Sequence, residues 1–229
     1  YLFKFFIKTL IFFFYLKNFF FICKKSLKKN KFQLILSNLN NVYMVPKKNK
    51  YGEIVFKGYP DFRPNLTPKE IFKLGSFGGT YWRPIFSSVT NKKYKDQHKK
   101  YPDDWWEGLP ENWLTNDYED YDVSINKYKV KVGTTLQFWE EKKWINKQNP
   151  YGWMQWYCDF YFGERGEDDE RQIDRWKKTA GPNSRFRRAL INLIKKHKTT
   201  YDDFKISPKI RQTLQHWGYM LNERDFEKN

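Results

Sequence analysis

Two carboxylate clusters are the residues whose types and spacing could support catalysis. One lies in residues 103–107 (DDWWE) and the other in residues 165–171 (RGEDDER). Two-metal cleavage of a phosphodiester needs several carboxylates that converge on the metal ions. The two clusters together would suit a metal-dependent phosphodiester-cleaving enzyme if the fold brings them together. Each cluster also has a simpler explanation, because one suits a surface loop and the other places acids in the first turn of a helix.

Basic side chains form a second pattern that could have a chemical role. Residues 184–196 predict a helix capped by Ser184, with one apolar stripe along its length. A second stripe carries Arg185, Arg188 and Lys195, and such cations bind phosphates and release their counterions. The side chains predicted to contact nucleic acid are Arg185, Arg187, Arg188, Lys195, Lys196, Arg171, Arg175 and Arg83.

The residues before this basic helix favour DNA over RNA as the partner. A helix is predicted to end at Gly181, and the turn Gly181-Pro182-Asn183 leads directly into the basic helix. Two helices joined by a tight turn, with a basic outer face on the second, resemble a helix-turn-helix unit. The ten tryptophans could stack on unpaired bases or fill the core. A protein-interaction or structural module is the remaining alternative.

A loop with three glycines, residues 75–79 (GSFGG), precedes Arg83. It matches neither GxGxxG nor GxxxxGK[ST], which are the usual nucleotide-binding patterns. Its glycines would either approach a phosphate closely or form a tight turn that lets Tyr81 and Trp82 pack. The sequence leaves both interpretations open.

Cysteine and histidine usage argues against a metal site. Cys23 and Cys158 are the only cysteines, and the three histidines show no spacing typical of metal ligands. We therefore expect no metal, no cofactor and no identifiable small-molecule ligand, and we expect Cys158 to pack in the core. Few cysteines also suit a reducing intracellular compartment, nuclear or cytoplasmic.

The first 43 residues differ in composition from the rest. They contain ten of the 21 phenylalanines and eight lysines, but no Asp, Glu, Gly, Ala, Pro, Arg, Trp or His. We interpret them as translated non-coding sequence upstream of Met44, with a hydrophobic or disordered leader as the alternative. The apolar run at residues 9–16 is shorter than the roughly 20 residues that span a bilayer, so we expect no membrane partner.

The net charge still favours an anionic partner without those residues. The whole chain carries +17, and residues 44–229 carry 35 basic and 26 acidic side chains, a net charge of +9. Within this part we expect a basic leader (44–57), one globular domain (58–222) and a tail (223–229).

Local signals predict a mainly α fold. Thr67-Pro68-Lys69-Glu70 is a capping box, and Thr134 or Thr135 can cap a helix that runs through Trp144. Residues 150–162 are apolar or aromatic almost throughout, which predicts a buried core helix. Ser207-Pro208 predicts the start of a last helix. The expected fold is a compact helical domain with a Gly/Pro-rich, loop-rich N-terminal half and room for a few short strands.

Three tryptophan-rich or basic segments resemble a family of proteins found in fungi, algae and large DNA viruses. The segments are GYPDFRPNLTPKEIFKLGSFGGTYWRPI (58–85), NPYGWMQWYCDFYFGERGEDDERQIDRW (149–176) and RFRRALI (185–191). The resemblance covers residues 58–191 and favours Met44 as the start. It implies no activity, cofactor or site residue, because the family has no established function.

Overall fold

A computed structural model describes residues 45–228, and these are mainly helical with one small sheet. The two strands, β1 (Ile85–Ser87) and β2 (Lys92–Tyr94), are antiparallel, with Ile85 opposite Tyr94. Short 3-10 helices lie between residues 77 and 120. The α-helices are α1 (Pro68–Lys73), α2 (Leu136–Glu141), α3 (Trp153–Tyr161), α4 (Asp169–Ala180), α5 (Arg185–Lys196), α6 (Pro208–His216) and α7 (Glu223–Glu227).

Helix α3 is the core element, as its composition predicts. Its first eight residues are all buried, including Cys158. Burial raises the pKa of the Cys158 thiol well above its usual value. The ring of Trp156 lies 4.8 Å from that of Phe160 and 5.7 Å from that of Phe62, between ring centroids. Trp176 of α4 packs edge-on against the same Phe62 at 5.1 Å. A helix with apolar side chains on nearly all sides removes that surface from water only when it is buried in this way.

The predicted helix starts are confirmed where a side chain caps the helix. Thr67 Oγ1 accepts the amide proton of Glu70 at 3.1 Å, and Glu70 Oε2 accepts that of Thr67 at 2.7 Å. Ser184 Oγ caps α5 by accepting from the Arg187 amide at 3.2 Å. Ser207 makes no such bond, because its backbone is left-handed with φ 51°. That predicted cap is wrong, although α6 begins at the expected proline.

Helix α2 is shorter than its aromatic spacing predicts. Thr135 caps it as expected, but it ends at Glu141 and does not run through Trp144. Lys143 takes a left-handed backbone with φ 56°, which ends the helix, and the Trp144 amide donates back to the Trp139 carbonyl at 2.8 Å. Trp144 consequently lies outside the helix.

The loop with three glycines is a tight turn for packing. A Cβ atom on Gly75 would collide with the carbonyl oxygen of Ile125, and Gly75 has φ 91°. The amide of Phe77 donates to His216 Nε2 at 3.0 Å, and that of Gly78 donates to Asn126 Oδ1 at 2.8 Å. These two amides are engaged within the protein and are not available to a phosphate.

Two predicted boundaries are wrong. The expected basic leader at 44–57 contributes to the core, since Ile54 is completely buried and Phe56 nearly so. The expected tail at 223–229 contains α7, which Asn222 caps by accepting from the Asp225 amide at 2.9 Å. No helix within residues 45–228 is long and apolar enough to cross a membrane. The interpretation of residues 1–43 lies outside the described residues.

Candidate functional site

The outer face of α5 carries the exposed cations that the sequence predicts. Arg185, Arg188, Lys195 and Lys196 are all exposed. None of the four makes an ion pair with another residue in the described part of the chain. The Arg185 guanidinium lies 4.8 Å from the ring centroid of the neighbouring Phe186. We call these four side chains the α5 basic face.

Arg187 does not belong to this face. Its side chain is 8% exposed, and its Nη2 lies 3.3 Å from Asp225 Oδ2. Its guanidinium also lies 3.6 Å from the ring centroid of Tyr219. Burial lowers the pKa of Arg187, while Tyr219 and Asp225 act in the opposite direction. Arg187 therefore joins α5 to α7 and is not exposed with the other predicted cations of α5; its contact with nucleic acid stays a prediction.

Arg171 is held by a neighbouring carboxylate. Its Nε and Nη2 donate to the two oxygens of Asp168 at 2.5 Å and 2.7 Å, which is a bidentate pair. Asp168 also accepts from Gln172 Nε2 at 2.8 Å. The charge of Arg171 is thus largely balanced within α4, and it adds little to the field of the α5 basic face.

Arg83 and Arg175, the remaining predicted cations, line one cavity of about 350 Å³. Helices α2, α3, α4, α5 and α6 each contribute at least one side chain to its wall. The aromatic part of that wall includes Phe77, Tyr81, Trp139, Trp144, Phe186 and Trp217. We call this space the aromatic cavity.

Arg175 lies between two tryptophans of the aromatic cavity. Its guanidinium is 5.5 Å from the ring centroid of Trp144 and 5.3 Å from that of Trp217. It donates one hydrogen bond, from Nη1 to Gln172 Oε1 at 3.0 Å. Burial lowers the pKa of Arg175 to about 10, and it remains charged at neutral pH. It makes no ion pair within residues 45–228.

Arg83 has a similar environment at another part of the wall. Its Nη1 donates to the Thr80 carbonyl at 2.9 Å, and its guanidinium lies 5.4 Å from the Tyr118 ring centroid. Burial lowers its pKa, while Tyr151 and Tyr118 act in the opposite direction. No ion pair joins Arg83 to a carboxylate in the described residues. The cavity therefore contains two cations without bound counter-charges.

His216 is a buried titratable group in the cavity wall. Its Nε2 accepts from the Phe77 amide at 3.0 Å, so this nitrogen carries no proton. Gln212 Nε2 lies 2.9 Å from the same atom, and the Phe77 ring stacks on the imidazole at 4.0 Å. Burial lowers the pKa of His216 to about 3. The imidazole is therefore neutral and acts as a fixed acceptor.

Stability is expected to fall as the pH drops from about 6.5 towards 3, because of His216. The unfolded imidazole takes up a proton near pH 6.5, whereas the folded one does so only near pH 3. The expected loss is about 2 kcal/mol between pH 6.5 and 5, at about 1.4 kcal/mol per pH unit. Urea unfolding of the unmodified protein and of His216→Gln at pH 7, 6 and 5 measures it. If the two proteins lose equal stability over this range, His216 is not the cause.

The carboxylate clusters do not converge. Asp104 pairs with Lys69 at 2.5 Å, and Asp168 is occupied by Arg171. Asp169 accepts from Trp156 Nε1 at 2.8 Å and from the Gly166 amide at 3.0 Å. Within residues 45–228, no three His, Cys, Asp or Glu side chains are grouped so that they could hold a metal ion. The geometry on which the phosphodiester-cleaving alternative depends is absent from this part of the chain.

No protein-family model, curated protein or solved structure matches the chain. The resemblance to proteins of fungi, algae and large DNA viruses therefore stays a prediction. The α5 basic face and the aromatic cavity are the two features of the structure that bear on function. Sequence reasoning names both arginines of the cavity but misses the cavity itself, because Phe186 and Trp217 carry no signal that separates a cavity wall from a core.

Proposed function

We propose that the protein binds nucleic acid, with DNA favoured, through the α5 basic face. The observation that carries this proposal is four exposed cations on one helix face with no ion pair among residues 45–228. From Arg185 to Lys195 the helix rises by about 15 Å. A duplex presents one phosphate charge per roughly 1.7 Å of its axis, so this face can contact several phosphates.

The helix dipole explains Lys195 and Lys196, which lie in the last turn of α5, but it does not explain the two arginines at the start of the helix. Its first turn contains no acid, and it contains the exposed Arg185 and Arg188. Cations near a helix N-terminus are unfavourable because that end already carries partial positive charge. Like charges three residues apart also repel each other. A polyanion bound along the face would relieve both effects, which supports a phosphate-binding role.

The preference for DNA rests on an analogy of architecture. Helix α4 ends at Gly181, Ser184 starts α5, and the two helices pack against each other. In a helix-turn-helix unit the second helix enters the major groove. An intracellular location, nuclear or cytoplasmic, would follow from this proposal. The preference for DNA and the location both stay predictions.

Charge reversal of the face tests the proposal. The triple variant Arg185→Glu, Arg188→Glu, Lys195→Glu is expected to lose binding to a 20-base-pair DNA duplex in fluorescence-anisotropy titrations. Its melting temperature is expected to change little, because the three side chains are exposed. The control variant Lys57→Glu, Lys93→Glu, Lys209→Glu makes the same change in net charge at exposed positions elsewhere.

The control variant is expected to retain most of its affinity for duplex DNA, although its lower net positive charge weakens binding slightly. For the unmodified protein, the logarithm of the affinity should fall with the logarithm of salt concentration by about 0.9 per phosphate contacted. Equal losses in the two triple variants would show that net charge alone drives binding. Failure of the unmodified protein to bind duplex, single-stranded DNA or RNA at low salt would overturn the proposal and favour a protein-interaction module.

A further inference from the structure

The α5 basic face leaves the aromatic cavity unexplained. A cation removed from water costs free energy unless charge, hydrogen bonds or aromatic rings compensate. Arg83 and Arg175 have ring contacts, which compensate in part, but no carboxylate within ion-pair distance in the described residues. Both side chains are half-buried, so each guanidinium is only partly removed from water.

Both arginines also have hydrogen-bonding capacity to spare. A guanidinium has five N–H donors in a fixed planar arrangement. Arg175 uses one on Gln172, and Arg83 uses one on the Thr80 carbonyl. Their other donors have no partner among residues 45–228. Such donors suit an anion that offers several acceptor oxygens, above all a phosphate.

The size and walls of the cavity restrict the rest of the ligand. About 350 Å³ is at the low end of the roughly 300–1,000 Å³ typical of ligand pockets, so a single small ring system fits. The walls are mainly aromatic, with His216 and Thr213 among the few polar members. Aromatic walls favour a flat ring, which they can stack on or meet edge-on.

We propose that the aromatic cavity binds one nucleotide, with the base against its aromatic walls and the phosphate at Arg175. The nucleotide is either free in solution or an unpaired member of a nucleic-acid strand. A free nucleotide would bind independently of the α5 basic face. In a strand the two sites would be continuous, because Phe186 lines the cavity and Arg185 lies against the Phe186 ring.

Binding is tested on the full chain with 15N-labelled tryptophan side chains. AMP, UMP, adenosine and a single-stranded DNA hexamer are titrated separately while the indole NMR signals are followed. We expect either mononucleotide to shift the signals of Trp144 and Trp217, which line the cavity, and to leave that of the buried Trp105, which does not line it, unchanged. Adenosine lacks the phosphate, and we expect it to bind at least about tenfold more weakly than AMP.

Two single variants separate the cavity from the α5 basic face. Arg175→Gln removes a cavity cation and is expected to weaken AMP binding at least about tenfold. Arg188→Gln makes the same change on the exposed face and is expected to leave AMP binding within about twofold, since it contacts no part of the cavity wall. Circular dichroism and the melting temperature of each variant show whether it is folded.

The titrations with mononucleotides and with the hexamer distinguish a free nucleotide from an unpaired nucleotide of a strand. Shifts of the cavity tryptophans with AMP or UMP identify a free nucleotide, and shifts with the hexamer alone identify an unpaired nucleotide of a strand. The proposal is overturned if neither mononucleotide nor the hexamer shifts these signals in the unmodified protein at millimolar concentration. It is also overturned if adenosine binds as tightly as AMP. Failure of the unmodified protein to bind duplex DNA, single-stranded DNA or RNA, together with measurable AMP binding, would refute only the function proposed for the α5 basic face.

Discussion

Replacing Trp156 with alanine is expected to lower the free energy of unfolding by about 3–5 kcal/mol. Trp156 is 2% exposed, and its ring lies within 6 Å of three other aromatic ring centroids. Truncation would remove these contacts and leave a cavity that the rigid neighbours cannot fill completely. It would also remove the Nε1 proton that Asp169 accepts at 2.8 Å, close to the start of α4. Urea unfolding followed by tryptophan fluorescence and circular dichroism measures the loss.

Trp144→Ala provides the matched control. Trp144 is 41% exposed and contacts Phe138 and Arg175 at the cavity wall. Its truncation is expected to cost about 1 kcal/mol, because much of its surface is already in water. Trp156→Phe separates the two contributions of Trp156, since it keeps most of the ring but removes the hydrogen bond to Asp169. Equal losses for Trp156→Ala and Trp144→Ala would show that α3 is not the core helix.

The elements that sequence reasoning predicts correctly are those set by local chemistry. A hydroxyl at Thr67 or Ser184 caps a helix because it reaches an amide three residues ahead. Gly181 ends α4 for a similarly local reason. The burial of residues 153–160 follows mainly from composition, because apolar and aromatic side chains lie on most sides of that helix; its two polar side chains, Gln155 and Asp159, are buried as well.

The parts that sequence reasoning misses depend on contacts between distant residues. Arg187 has the composition of a surface residue, and only the placement of Asp225 and Tyr219 shows that it is buried. The basic segment before residue 58 conceals Ile54, which pairs with Lys48 and packs in the core. Periodicity describes one helix or strand at a time, so it cannot identify the distant residues that contact Arg187 or Ile54.

The candidate site divides in the same way. The α5 basic face follows from helical spacing, so its exposed cations could be predicted from residues 185–196 alone. The aromatic cavity could not, because its wall combines side chains of five helices with residues of the loops. The sequence predicts that Arg83 and Arg175 contact nucleic acid. The structure places both at a concave aromatic wall, which the sequence does not reveal.

Replacing Arg187 with alanine is expected to destabilise the protein by about 3 kcal/mol or more, unlike the same change at its neighbour Arg188. Removing one partner of a buried ion pair typically costs about 3–5 kcal/mol, because the other charge stays buried without compensation. Arg187 Nη2 lies 3.3 Å from Asp225 Oδ2, and the side chains are 8% and 12% exposed. Asp225 keeps the Tyr219 hydroxyl at 3.0 Å and the more distant Arg224 Nε at 3.9 Å, so the lower end of the range applies.

Arg188 provides the control on the same helix, since it is exposed and makes no ion pair with a described residue. Arg188→Ala is expected to cost less than about 0.5 kcal/mol, but to reduce the salt dependence of duplex binding by about 0.9 if it meets one phosphate. Arg187→Ala, assayed at a temperature where it is folded, is expected to leave that salt dependence unchanged. Urea unfolding and anisotropy titrations at several salt concentrations measure both effects for both variants. The double variant Arg187→Leu, Asp225→Leu should recover part of the lost stability, because apolar replacement of both partners leaves no buried carboxylate that has lost its arginine. Equal stability losses at the two arginines, or no recovery in the double variant, would contradict the assignment of Arg187 to a buried ion pair between α5 and α7.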